Sequence, residues 1–413
     1  MRFGVLADDL TGAMDAGAGF AGLGLDTVVV FGKKPVPEAR VVVISTDSRV
    51  ALPETAYRMV KQATAGLAGR YVYKKIDSTL RGNIGRELRA VMTALNAERA
   101  VICPAFPANG RSVVGGNLLV DDVPVDKTSF AQDPVSPVTE ANIPALLSGQ
   151  GGFSVGTIGL DIVNQGPPAI NRQLSGEGHR IVVIDAVTQG HLRYIAEALA
   201  SAGTSWLPCG SAGLAMELPS AFGCQREAVE MAVSQLERKP VLVVASSRHQ
   251  VTLRQIKMAE AQLASARVTV EPAEFVSGED RLTRQQQLAG EANRSLAAGR
   301  DVIITSAYGR YAPEMKDKIA AILAGIAAVT VRQGNVTGLV LTGGDVAREA
   351  CAALNVSGLK IRGELEPGVV VGEVMGDIKG GLKMVTKAGG FGSDGAILDA
   401  ICYLGRGRRW NKE

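Results

Sequence analysis

Three short polar stretches carry most of the chemistry this sequence could perform. They are Asp8-Asp9-Leu10-Thr11-Gly12, Thr46-Asp47-Ser48-Arg49 and Lys74-Lys75-Ile76-Asp77-Ser78-Thr79-Leu80-Arg81-Gly82-Asn83. Between them they offer carboxylates (Asp8, Asp9, Asp47, Asp77), cations (Arg49, Lys75, Arg81) and hydroxyls (Thr11, Ser78, Thr79). That inventory suits a small polyhydroxylated acid. An Arg fork and a Lys hold a carboxylate, Asp and Ser exchange hydrogen bonds with hydroxyls, and one Asp can take a proton. Any single Asp or Ser could merely cap the helix that follows it. Three such stretches with both signs of charge favour a site.

A second set of loops is rich in Gly and Ser: Ala245-Ser246-Ser247, Thr342-Gly343-Gly344-Asp345 and Lys387-Ala388-Gly389-Gly390-Phe391-Gly392-Ser393-Asp394. Where such a loop leads from a strand into a helix, its N–H groups and the helix dipole face an anion. Glycine also lets backbone approach a phosphate without a Cβ in the way. A Gly-Gly pair after a strand is equally an ordinary tight turn, so phosphate site and turn both stand on these residues alone. No G-x-x-x-x-G-K-[ST] occurs. A formal G-x-G-x-x-G runs from Gly17 to Gly22, but it starts ten residues beyond the first strand, whereas a dinucleotide loop follows its strand directly. These glycines read as close helix–sheet packing. A nicotinamide-dependent oxidoreductase using Gly17–Gly22 stands as one alternative, with the position of that loop against it. A non-catalytic two-lobed sugar-acid-binding protein stands as another, and it would leave the glycine loops without a task.

Short β-branched runs must position these loops. Strands are predicted at Phe3–Ala7, Thr27–Phe31, Val41–Ser45, Tyr71–Lys75, Ala100–Cys103 and Arg180–Asp185, with helices at Gly12–Gly22, Pro53–Leu67, Gly85–Leu95 and Gln189–Ala202. The second half repeats the pattern. Strands are expected at Val241–Ala245, Asp301–Thr305 and Gly338–Leu341, with helices over Gln250–Ala264, near Pro313–Leu323 and over Val346–Leu354. Continuous apolar strands alternating with helices indicate parallel sheets covered on both faces. The polar stretches then fall at the carboxyl ends of strands, where open α/β sheets bind ligands. A polar run at Ser234–Lys239 before a fresh buried strand places a domain boundary near residue 235. Pro104–Thr139 reads as irregular, with a small hairpin at Asn117–Val125, and Gly149–Pro168 as a linker or irregular connection.

Composition excludes several classes. The 413 residues carry Lys+Arg 44 against Asp+Glu 41, a net +3, and 46% hydrophobic residues. That describes a folded protein without a nucleic-acid or membrane surface. The run Arg406-Gly407-Arg408-Arg409 reads as a solvated tail. Two early aspartates argue against a signal peptide, and no apolar run reaches the roughly 20 residues of a membrane span. A cytoplasmic location is expected. Cys103, Cys209, Cys224, Cys351 and Cys402 are odd in number and lack zinc spacing, so free thiols are expected. Three scattered histidines make a His-based metal site or a Ser-His-Asp triad improbable.

The blocks Ala7–Ala13, Thr46–Arg49 and Lys74–Asn83 resemble the N-terminal signature of the four-carbon acid sugar kinases. Thr342–Asp345 and Lys387–Gly392 resemble that family's nucleotide-binding loops. The resemblance runs through nearly the whole chain in order, and its Lys-Lys-x-Asp-Ser-Thr-x-Arg-Gly-Asn block is highly specific. It implies an α/β protein of two domains, each a mainly parallel sheet flanked by helices, with a cleft between them. Residues 1–235 would bind the sugar acid and residues 236–413 the nucleotide. It implies ATP with Mg²⁺ as cofactors and D-threonate, D-erythronate or 3-oxo-tetronate as substrate, with motifs closer to the threonate/erythronate branch. By position, substrate binding falls on Asp9, Arg49, Lys75, Ile76, Asp77, Ser78, Thr79 and Arg81, and the catalytic roles on Asp9 or Asp77. Nucleotide binding falls on Ser246 or Ser247, on Gly343, Gly344 and Asp345, and on Gly389, Gly390, Phe391 and Gly392. No Mg²⁺ ligand is fixed, Asp345 being the one suggested. The chain departs from the family at Ser246–Thr252, where members often carry Ser-Cys-Ser-Pro-Val-Thr. It departs again at Asp126-Lys127-Thr128, where they often carry His-Glu-Thr. The expected partner is a small acid; a homo-oligomer is left open.

Overall fold

The computed structural model describes all residues except 32–35, 134, 177, 226–237, 277–280, 311, 316–317, 335, 377–380 and 407–413. The chain divides into two units, Met1–Val229 and Glu230–Glu413. The boundary expected near residue 235 and most of the basic C-terminal run lie outside the described residues.

In the first unit the strands are β1 (Phe3–Ala7), β2 (Thr27–Phe31), β3 (Val41–Ser45), β4 (Tyr71–Lys75), β5 (Ala100–Cys103), β6 (Arg111–Val114), β7 (Asn117–Val120), β8 (Val123–Pro124), β9 (Val155–Ile158), β10 (Ile181–Ile184) and β11 (Leu207–Gly210). The helices are α1 (Leu10–Ala21), α2 (Pro53–Ala65), α3 (Ile84–Leu95), α4 (Ile143–Gly151), α5 (Leu160–Val163), α6 (Pro167–Gly176), α7 (Gln189–Ala202) and α8 (Ala212–Ala221). Among the described residues, eight strands form one parallel sheet in the order β2-β3-β1-β4-β11-β5-β10-β9. Every residue of β1, β3 and β4 is buried, as expected of strands covered on both faces. Phe3 of β1 packs on Phe20 of α1 with ring centroids 5.3 Å apart, which fixes the helix on the sheet.

In the second unit the strands are β12 (Val241–Ala245), β13 (Ala266–Thr269), β14 (Val302–Thr305), β15 (Gly338–Thr342), β16 (Gly358–Glu366), β17 (Val369–Met375) and β18 (Lys383–Lys387). The helices are α9 (Gln250–Gln262), α10 (Arg281–Ala297), α11 (Ile319–Gln333), α12 (Gly344–Ala353) and α13 (Ala396–Arg406). Here β13-β14-β12-β15-β18 run parallel, and β17 and β16 add an antiparallel pair beyond β18. Val243, Ile256, Val340, Val385 and Ile397 belong to one buried core that ties this sheet to α9 and α13.

Two expectations change and one is extended. The stretch Gly149–Pro168 is no linker: it holds the end of α4, edge strand β9, α5 and the start of α6. The hairpin expected at Asn117–Val125 is present as β7 and β8, and β6 extends it to a three-stranded antiparallel sheet. The G-x-G-x-x-G forms the end of α1 with Gly22 as its C-cap, and a Cβ on Gly19 would stand 2.5 Å from Met216 Cγ of α8. Its glycine serves helix–helix contact rather than helix–sheet contact. All five cysteines are buried and unpaired. Among the described residues no helix is long and apolar enough to cross a membrane.

Candidate active site

Strands β3, β1 and β4 are neighbours, so the polar loops that follow them meet at one end of the sheet. Arg49 gathers the carboxylates there. Its Nε donates to Asp8 Oδ2 at 2.7 Å, its Nη2 donates to Asp9 Oδ1 at 2.8 Å, and Asp77 Oδ1 stands 3.6 Å from Nη2. Lys75 Nζ lies 4.0 Å from Asp9 Oδ1 and sits over Gly12, where any Cβ would collide with it. Arg81 grips Asp77 with two donors, Nε at 2.8 Å and Nη2 at 3.2 Å, and Thr79 Oγ1 donates to the same carboxylate at 2.5 Å. The Arg81 guanidinium also lies 5.6 Å from the Phe130 ring centroid.

Burial pushes the Asp77 carboxyl up, but Arg49 and Arg81 outweigh it and hold the group well below its ordinary range. Asp8 is held down in the same way by Arg49 and Lys75 against its own burial. Of the three carboxylates Asp9 is the most accessible, at 22% side-chain exposure against 4% for Asp8 and 9% for Asp77. Asp9 is also the N-cap of α1, accepting from Gly12 N at 3.0 Å. Strand alternation sends Asp8 and Asp9 to opposite sides, and the family resemblance places Asp9 in the cleft with Asp8 as a candidate cap. The structure instead puts both on one guanidinium and gives the cap to Asp9. Ile76 is turned inward: it is buried, and its N–H donates to Gly210 O at 2.8 Å. Ser78 stays half-buried at the rim.

The loops are held from below. Asn83 Nδ2 donates to the carbonyls of Ser48, Arg49 and Ala51 at 2.9–3.3 Å, which fixes the backbone that carries Arg49. Ser48 Oγ in turn donates to Glu87 Oε1 at 2.6 Å, and Lys74 Nζ pairs with Glu87 Oε2 at 2.7 Å in full burial. Burial pushes the Lys74 ammonium down, but Glu87 and Asp8 raise it above its ordinary value. Asp47 and Leu80 take left-handed φ values of 52° and 62° in these loops. A cleft of about 450 Å³ opens beside Arg49, Gly82 and Asn83, walled opposite by Ser136, Thr139 and Gln150. Sequence reasoning quoted Lys74 and Asn83 without seeing their work, and Glu87 it passed over. A Lys and a Glu amid apolar helix and strand positions were the available signals.

In the second unit β12, β15 and β18 are adjacent, so the three Gly/Ser loops also emerge side by side. Gly343 is the N-cap of α12 at φ 102°, a conformation that glycine alone adopts readily, and its N–H donates to Lys387 O. Ser246 faces Gly343: a Cβ built there would stand 3.9 Å from Ser246 Oγ. Ser247 faces Gly389, where a Cβ would come within 2.5 Å of Ser247 Oγ. Part of the glycine content therefore reflects loop-on-loop contact. Two residues of α9 hold the last loop. Thr252 Oγ1 donates to Gly389 O at 2.7 Å, and Gln255 Nε2 reaches the carbonyls of Phe391, Gly392 and Ser393 at 2.7–3.3 Å. Gly344 and Asp345 form the first turn of α12; the Asp345 side chain is exposed, with Arg348 3.7 Å away. Gly390 lies against His249.

Two family models match the chain. One, described as a sugar-binding N-terminal domain, covers residues 3–218; the other, a nucleotide-binding C-terminal domain, covers residues 242–397. The chain is 33% identical to the D-threonate kinase of Salmonella typhimurium LT2 over 98% of each chain. It is 34% identical to the D-erythronate kinase of Heliobacterium modesticaldum, over 97% of this chain and 96% of that one. It is 29% identical to the 3-oxo-tetronate kinase of Brucella melitensis, over 97% and 95%. The crystal structure of a Salmonella typhimurium LT2 protein, described as a candidate tRNA synthase, superposes with a TM-score of 0.82 at 26% identity, covering 96% of this chain and 98% of that one.

Proposed function

The chain belongs to the four-carbon acid sugar kinase family, and from that premise we propose that it transfers the terminal phosphoryl group of ATP to a hydroxyl of a four-carbon sugar acid. D-threonate or D-erythronate is the substrate, ahead of 3-oxo-tetronate. Identities of 33–34% to the threonate and erythronate kinases against 28–30% to the oxo-tetronate kinases support that order.

The observation that carries the reading is the Arg49 array: cations and carboxylates of the first unit interleaved at adjacent strand ends. Lys75 and the unused edge of Arg49 take the carboxylate of the acid, and Ser78 meets its hydroxyls. Asp9, the most open carboxylate, is the base. Asp77 orders Arg49 and Arg81, since both its oxygens are already committed to strong donors. The acceptor oxygen attacks the terminal phosphorus of ATP. The bond from that phosphorus to the bridging oxygen breaks, its electron pair leaves with ADP, and the hydroxyl proton passes to Asp9. Ser246, Ser247, the N-terminus of α12 and Gly389–Gly392 hold the nucleotide.

Mg²⁺ bound with ATP would supply charge neutralisation at the phosphates and would ask few ligands of the protein. The second-unit loops fit that limited demand through Asp345, exposed in the first turn of α12 with a long 3.7 Å contact to Arg348, whereas Asp394 is paired with Arg254 at 2.9 Å. The deciding experiment measures ADP release with a panel of four-carbon aldonic acids and their neutral alditols. Turnover confined to one or two acids is expected. Turnover of threitol equal to that of threonate would overturn the carboxylate clamp, and no ADP release with any acid would overturn the kinase reading.

A further inference from the structure

The glycine loop of the second unit begins with a buried lysine. Lys387 ends β18, is 2% exposed, and its Nζ donates only to carbonyls of its own loop, Ala388 O at 2.8 Å and Gly389 O at 3.5 Å. Buried ammonium groups are normally paired, because desolvation of an unpaired charge is expensive. Among the described residues no carboxylate lies within ion-pair distance of this one.

The neighbouring strand repeats the anomaly. Thr342 ends β15 and pairs in register with Lys387, so the two side chains leave the same face of the sheet. Thr342 is fully buried, and its Oγ1 has no hydrogen-bond partner. A buried hydroxyl without a partner is rare in a folded protein. The residue after Thr342 is Gly343, which opens the ten-residue helix α12. A cation lacking an anion, a hydroxyl lacking a partner and a helix N-terminus thus meet at the adjacent ends of β15 and β18.

Building on the nucleotide reading given above, we propose that Lys387 Nζ and Thr342 Oγ1 are phosphate-binding groups, which hold the terminal phosphates of ATP against the N-terminus of α12. Of the three Gly/Ser loops this is the one that carries a cation, Lys387, and ATP carries the anion that it lacks.

The electrostatics agree. Burial pulls the Lys387 ammonium down to about 8, with only Glu366 opposing it. Its register partners on either side, Thr342 of β15 and Val369 of β17, carry no charge. Near pH 8 the site is therefore partly deprotonated when empty. An arriving phosphate restores the favourable pairing, so binding takes up a proton.

The test is calorimetric titration of the full chain with Mg-ATP and with adenosine, for wild type, Lys387→Met and Thr342→Val, at pH 8.5 in two buffers of different ionisation enthalpy. Lys387→Met is expected to raise the ATP Kd about 10–100-fold, the loss of one charge-assisted hydrogen bond. It should leave adenosine binding unchanged and abolish the buffer-dependent proton uptake. Thr342→Val should weaken ATP by a smaller factor, again sparing adenosine. Equal weakening of ATP and adenosine would mean a structural role and overturn the proposal, as would proton uptake that persists in Lys387→Met. Wild type that binds ATP while Lys387→Met binds it as well overturns Lys387 alone. Wild type that binds neither ligand overturns the nucleotide reading and this inference with it.

Discussion

Arg49 Nε lies 2.7 Å from Oδ2 of Asp8, a carboxylate 4% exposed whose Oδ1 meets no partner. Asp8 is thus an anchor for the guanidinium rather than a helix cap. Asp8→Asn removes the charge and keeps the shape, leaving Arg49 short of one buried counter-ion. We expect a stability loss on the order of 3 kcal/mol in urea denaturation. The KM for the acid should rise while the KM for ATP holds. An unchanged acid KM would confine Asp8 to the fold.

Asp9 has two tasks that substitution can separate. Asn caps a helix about as well as Asp does, whereas Ala does not. Asp9→Asn should therefore keep the cap, lose stability only through its partly exposed ion pair with Arg49 Nη2, and lower kcat by roughly 10²–10⁴-fold, the usual contribution of a general base. Asp9→Ala should show the same kcat loss and cost about 1 kcal/mol more in stability. Near-wild-type kcat in Asp9→Asn would move proton transfer to another group.

The Lys74–Glu87 pair lies wholly out of solvent, so its members should be worth little together and much apart. Glu87→Leu alone should destabilise the chain by about 3–5 kcal/mol, because Lys74 is left charged and unpaired. Adding Lys74→Met should restore most of that loss. A double-mutant cycle by chemical denaturation measures both terms. If the double variant were as unstable as the sum of the singles, the coupling would be absent.

Acid should act through Asp77. Its folded-state pKa lies well below the ordinary carboxylate value of 3.8, because Arg49 and Arg81 outweigh its burial. For a depressed carboxylate the stabilisation is complete above the ordinary value and is lost as pH falls through the folded one. Unfolding free energy measured from about pH 5 downward should fall more steeply in wild type than in Asp77→Asn. Parallel curves would show that Asp77 titrates alike in both states.

Gly343→Val tests the nucleotide loops. A Cβ there has space, its nearest neighbour being Ser246 Oγ at 3.9 Å, but φ of 102° strains any other residue. The strain is of order 1–3 kcal/mol, concentrated at the N-terminus of α12. ATP affinity in calorimetric titration should fall, while binding of the acid is unaffected. Unchanged ATP affinity in the folded variant would remove this loop from the site.

How much of this was legible in the sequence depended on what each residue had to satisfy. Runs such as Val41–Ser45 and Val241–Ala245 declare themselves, because strands buried on both faces leave no polar position. The four-residue strand β9 did not, since it is an edge strand with Val155 and Thr157 partly or fully exposed. The antiparallel β16 and β17 break the alternation of strand and helix that made the other elements readable. In the site, residue types pointed to Arg49, Lys75 and Asp77, but their partners could not be read. Asp8 and Asp9 follow the last residue of β1, where strand alternation no longer governs direction. Gln255 looked like any helical glutamine until its amide was found among three carbonyls of a loop some 136 residues away.

Asn83 and Gln255 share one arrangement: a single carboxamide nitrogen tied to three consecutive or near-consecutive carbonyls of a site loop. A loop fastened in that way has little freedom left to surrender when a ligand arrives, so binding does not carry the entropic charge of ordering it. In kinetic terms each loop is a finished receptor before encounter. Stopped-flow traces for acid and for nucleotide should each show a single concentration-dependent phase, and truncating either carboxamide should introduce a slow, concentration-independent one.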